Sequence, residues 1–143
     1  MKSKASILGI LGIVFLIVAV SGCTNQNTAN SKLLVDYNLT TTSVNPVIDK
    51  YVTLPNGTKS VTIEYSNLTS RNTNQGFFQF ASYNVAKNTQ ATKNFTLNMI
   101  DIKSVITNST PTSGNLTLDV NGAKSIGIRD SLGKGNVKVI ITQ

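Results

Sequence analysis

The chain of 143 residues has no histidine and no tryptophan, one cysteine at position 23, and only six acidic side chains. Each scarcity closes a class of chemistry. Without histidine there is no Ser-His-Asp or Cys-His set, and the commonest general base and transition-metal ligand are missing. A single thiol can neither close a disulfide within the chain nor build a thiolate zinc site. A glycosidase-type carboxylate pair, about 5 to 10 Å apart, could draw only on Asp36, Asp49, Glu64, Asp101, Asp119 and Asp130. Asp36, Glu64 and Asp119 are expected on the outward side of strands and Asp130 at a strand end, as exposed solubilising charges. Calcium held by loop oxygens near Asp119, Asn121 and Asp130 is the remaining metal option. That stretch lacks the dense D-x-[DN]-x-[DN]-G spacing of a dedicated site. The expectation is a chain with no catalytic residues, no metal and no cofactor.

Like-charge runs are also missing. The formal net charge of +7 falls to +5 without Lys2 and Lys4, and the remaining basic residues are scattered singly from Lys32 to Lys138. Nucleic-acid binders concentrate their basic residues in patches or stripes, so nucleic acid is not an expected partner.

What is present begins at the N-terminus. Lys2 and Lys4 precede an uncharged 16-residue run, Ala5 to Val20, which leads into Ser21-Gly22-Cys23. A positive end, an apolar core and small residues before a cleavage point form a secretory signal. The run is short for a membrane-crossing helix, which takes about 20 apolar residues. Val20-Ser21-Gly22-Cys23 resembles the lipobox of prokaryotic lipoproteins, in which a signal peptidase cuts before a lipidated cysteine. The resemblance covers residues 1–23 and implies cleavage between Gly22 and Cys23, with lipid on Cys23. It places the rest of the chain on the outer face of the cytoplasmic membrane. An uncleaved N-terminal anchor is the competing reading and places residues 24–143 on the same side.

The expected organisation is a signal peptide over residues 1–22, a lipidated cysteine with a polar tether over 23–32, and one domain over 33–143. The mature part is rich in amides and hydroxyls, with 17 Asn, 18 Thr and 11 Ser. Its composition resembles that of surface and adhesin-like proteins of methanogenic archaea, implying an extracellular glycoprotein. Asn38, Asn56, Asn67, Asn94, Asn108 and Asn115 each open an Asn-x-Ser/Thr sequon, the acceptor pattern for N-linked sugar.

From Leu33 onward apolar residues alternate with polar ones, the period of half-buried strands. Leu33, Val35, Tyr37 and Leu39 share a face, as do Val61, Ile63 and Tyr65, then Leu116, Leu118 and Val120. Ile126 with Ile128, and Val137, Val139 and Ile141, repeat the pattern. Pro55-Asn56-Gly57, Asn121-Gly122 and Gly133-Lys134-Gly135 read as hairpin or tight turns, and Pro111 to Gly114 as a longer loop. Eight or nine short strands predict an all-β fold, a single β-sandwich of Ig-like or jelly-roll type. The segment Asn56 to Ile63 echoes Asn121 to Ile128, either as a trace of duplication or as the same turn chemistry used twice. Ser131-Leu132-Gly133-Lys134 spells S-x-x-K, but the partner motifs of penicillin-binding enzymes are absent and the segment reads as a turn.

In Gly76 to Tyr83, Phe78 and Phe80 take one face of a strand and Phe77 and Tyr83 the other. Phe77 and Tyr83 are therefore the candidate ligand platform. The resulting expectation is a non-enzymatic, membrane-tethered β-sandwich that contacts envelope components or surface proteins. A carbohydrate or wall-polymer binding module is the alternative, and a small hydrolase a more distant one.

Overall fold

The computed structural model describes residues 30–71, 75–86 and 98–143. These form eight strands: β1 (Ser31–Thr40), β2 (Val47–Thr53), β3 (Ser60–Ser70), β4 (Gly76–Tyr83), β5 (Met99–Thr107), β6 (Thr112–Leu118), β7 (Ser125–Ser131) and β8 (Gly133–Thr142). No helix occurs among the described residues. The strands make two antiparallel four-stranded sheets, sheet A in the order β1-β8-β3-β6 and sheet B in the order β2-β7-β4-β5. The fold is all-β, and the two sheets enclose one core in the manner of a β-sandwich.

The strand order has a simple origin. Strands β1 to β4 form one arm and β5 to β8 the returning arm, zipped together as β4·β5, β3·β6, β2·β7 and β1·β8. Rolling this long hairpin adds the pairs β3·β8 and β4·β7 and brings the two sheets face to face. Only β4 and β5 are consecutive strands within one sheet; every other connection crosses between sheets.

The two Asn-Gly turns are such crossings rather than hairpins. Gly57 (φ +80°) carries the chain from β2 to β3, and Gly122 (φ +76°) carries it from β6 to β7. Glycine accepts this left-handed backbone without the penalty a side chain incurs. The echoed segments therefore occupy matching places in the two arms of the roll. The third expected turn, Gly133 to Gly135, lies within β8. Its place is taken by Leu132 (φ +59°), the one residue between β7 in sheet B and β8 in sheet A. Both its backbone groups are held: its N–H donates to the Pro46 carbonyl at 2.9 Å, and its carbonyl accepts from Arg71 N–H at 2.7 Å. The loop expected at Pro111 to Gly114 is shorter, because Thr112 already begins β6.

The alternation places the core as expected over most of the chain. Val61, Ile63, Phe78, Phe80, Ile126, Ile128, Val137, Val139 and Ile141 are all fully buried. Removing such side chains from water is worth about 1.5–3 kcal/mol each. Leu33 departs from the expectation. A bulge between Leu33 and Val35 shifts the register of β1, so Leu33 is 51% exposed and Leu34 packs against the core instead. An inserted residue turns every side chain on one side of it to the other face.

Short connections fix which strand ends lie together. Ser31, Thr53, Ser60, Tyr83 and Ser125 share the end at which β1 begins, called the tether end after the tether expected over 23–32. Thr40, Val47, Ser70, Gly76, Thr107 and Ser131 share the other, the distal end. Ten extended residues separate the ends by about 30 Å.

Candidate functional site

The outer face of sheet B is built in rows across its four strands, β2, β7, β4 and β5 in order. From the distal end they are Val47-Ser131-Phe77-Ile106, then Asp49-Arg129-Gln79-Ser104, then Tyr51-Gly127-Ala81-Ile102. Thr53, Ser125, Tyr83 and Met99 complete the tether end.

The tether-end rows are closed by tyrosines. Tyr51 and Tyr83 meet at 6.1 Å between ring centroids and 59° between planes, and Val85 and Met99 pack beside them. Gly127 makes room for the pair. A Cβ there would lie 2.8 Å from Tyr83 Cε2 and 3.0 Å from Tyr51 Cε1. Burial pushes both phenol pKa values up, further for Tyr83. Phe77 and Tyr83 do lie on the same face, opposite the buried Phe78 and Phe80. Tyr83, however, is fully buried and offers no ring to a ligand, whereas Phe77 is 37% exposed. Tyr51 lies thirty-two residues upstream, and nothing local to Tyr83 signals that it covers the ring.

Beside this cover, Arg129 grips Asp49 with two parallel hydrogen bonds, Nε to Oδ1 at 2.7 Å and a terminal nitrogen to Oδ2 at 2.8 Å. That hydrogen-bonded carboxylate holds the guanidinium in its charged form. Asp49 is thus committed to an ion pair and is no free acid.

The distal row is open. Val47 (42% exposed), Phe77 and Ile106 (67%) are exposed in this row, with Ser131 between Val47 and Phe77. Val44, in the adjoining β1–β2 connection, is 93% exposed. Beneath this surface are polar groups without partners. Asp130, expected at a strand end in solvent, is fully buried between Ile48 and Phe78 on the inner face of sheet B. Neither carboxyl oxygen has a hydrogen-bond partner of normal geometry. Burial raises its pKa to about 7, with the Gly133 backbone amide pulling the other way. Gly133 itself passes so close that a Cβ would clash with Asp130 Oδ1 and the Phe78 ring. Thr69 Oγ1 and Thr107 Oγ1, buried at the same end, are also unpaired. Native interiors leave few such groups. Leu132, with its left-handed backbone, lies in the same corner.

The other sequence candidates are dispersed. Asp36 and Glu64 flank Lys138 on the outer face of sheet A, and Asp36 accepts a hydrogen bond from Asn136 Nδ2 at 2.6 Å. Asp101 bridges to Lys103 and accepts from Asp119 N–H at 3.0 Å, tying β5 to the end of β6. Asp119 belongs to a tether-end turn, where its Oδ1 accepts from Asn121 N–H at 2.9 Å. The calcium trio is therefore not assembled, because Asp119 and Asn121 precede β7 while Asp130 lies at its far end. No group of three acidic, histidine or cysteine residues is placed to hold a metal among the described residues. Asn38, Asn56, Asn67, Asn108 and Asn115 are all exposed. Gly22, Cys23, most of the tether and Asn94 lie outside the described residues.

Comparison with protein-family models, with curated proteins and with solved structures finds no match, so relatives lend this surface no function.

Proposed function

We propose that this chain is a non-enzymatic cell-surface lipoprotein, held to the outer face of the cytoplasmic membrane through Cys23, that contacts a surface protein or envelope component with its distal end. The observation that carries the reading is the exposure of Val44, Val47, Phe77 and Ile106 at that end. Exposed apolar side chains gathered at one end of a domain suit contact with a protein or envelope component. Ser31, which opens β1 nearest the expected lipid attachment in sequence, lies at the opposite end from these residues. The order β1-β8-β3-β6 and β2-β7-β4-β5, a rolled double arm, supports a jelly-roll rather than an Ig-like sandwich. A carbohydrate platform is less well supported, since Phe77 is the one exposed aromatic ring on this face.

Photo-crosslinking residues placed in the full chain, in its own membranes, test the reading. Positions 77 and 106 are expected to give discrete adducts, and positions 62 and 117 on sheet A none. Adducts from the sheet A positions alone would reject it. Mass spectrometry of the same material should find the mature N-terminus at a lipid-modified Cys23; retention of residues 1–22 with a bare thiol would remove the anchor.

A further inference from the structure

Asparagine is disfavoured in strands, because its side chain competes for backbone hydrogen bonds. Sheet B obeys that preference: β2, β4, β5 and β7 contain no asparagine. Sheet A breaks it once in every strand, at Asn38 in β1, Asn67 in β3, Asn115 in β6 and Asn136 in β8. Asn38 pairs directly with Asn136, Asn115 lies opposite Glu64, and Asn67 occupies the β3 bulge. Two shallow depressions that share Asn136 join these residues into one amide-rich surface. Three of the four asparagines open a sequon.

We propose that Asn38 and Asn115 carry N-linked sugar, making the outer face of sheet A the glycosylated face of the domain. A transferase must reach the asparagine amide and the hydroxyl two residues on together. In a strand, residues i and i+2 point to the same side. Asn38 with Thr40, and Asn115 with Thr117, are exposed pairs of this kind. Asn67 is not, because its left-handed backbone (φ +54°) at the bulge leaves Thr69 buried. The co-reactant is an activated glycosyl phosphate, used by a transferase of the same cell. A bond forms between Asn Nδ2 and the anomeric carbon, the anomeric C–O bond to phosphate breaks, and the amide proton leaves through the transferase base.

The proposal is independent of the contact surface on sheet B. Intact-glycopeptide mass spectrometry of the full chain, purified from its own membranes, should find sugar on the peptides containing Asn38 and Asn115. N38Q and N115Q should each remove one glycan mass. T40A and T117A should do the same while leaving the asparagine in place, which a modification indifferent to the hydroxyl would not. All four side chains are exposed, so folding should be unchanged. An unmodified Asn38 or Asn115 in the native protein, or glycan retained in T40A or T117A, would overturn the assignment.

Discussion

The two sheets share one core yet spend their outward faces differently. Sheet A turns out Asp36, Asn38, Thr62, Glu64, Asn115, Thr117 and Lys138, side chains content in water. Sheet B turns out a tyrosine pair over Gly127, with Tyr83 buried and Tyr51 half-buried, a bidentate ion pair and a row of exposed apolar side chains. The contrast continues inside. The inner face of sheet A is apolar through Val35, Val61, Ile63, Leu116, Val137 and Val139, while that of sheet B includes the buried Asp130. The outer face of sheet A is a solvated wall, whereas sheet B holds the extra packing and the one buried carboxyl.

Substitutions can break this contrast. The largest effect belongs to Asp130. Its folded pKa of about 7 exceeds the unfolded value of about 3.9, so the folded chain keeps a proton that the unfolded chain gives up. Stability should therefore fall as pH rises from about 4 through 7 and level off above, by on the order of 4 kcal/mol in total. D130N should flatten that slope in urea titrations run from pH 4 to 8.5; a wild-type stability that climbs with pH over this range would refute the assignment. Gly127→Ala comes next. Its new methyl meets both tyrosine rings, and crowding of that kind costs about 1–3 kcal/mol in denaturant melts. An unchanged midpoint would mean that the rings move aside freely. Arg129→Lys loses the two-pronged grip on Asp49. Because both partners are partly solvated, a loss of about 1 kcal/mol or less is expected, shrinking further in high salt. On sheet A, Glu64→Gln and Thr117→Ala should stay within about 0.5 kcal/mol of wild type. A larger effect there would erase the distinction between the sheets.

Much of the architecture was readable from alternation, because half-buried strands impose period two on residues such as Val61, Ile63 and Tyr65. Three features were not. The bulge at Leu33 cannot be seen in a run where Leu33 and Leu34 are both apolar. Pairing of β1 with β8 joins the two ends of the domain, and no local signal specifies it. Asp130 is the most instructive case. Alternation with Ile126 and Ile128 put it on the inner face, while its residue type argued for solvent. The corner at Leu132, which closes over it, is visible only in three dimensions. The candidate surface was half legible for the same reason: Phe77 and Tyr83 share a face, but Tyr51 covers only one of them. The asparagine pattern needed the sheets to be known before it could be seen.

The roll also has a mechanical meaning. In the anchored arrangement proposed above, tension would enter at Ser31, the first residue of β1, while a load on the distal end would pull the opposite way along the strands. β1 lies against β8 along nearly its whole length, and its ladder hydrogen bonds run across the strand direction. Such tension would shear that ladder as a unit instead of peeling it bond by bond. A domain tethered at one end and engaged at the other would bear force on its strongest axis.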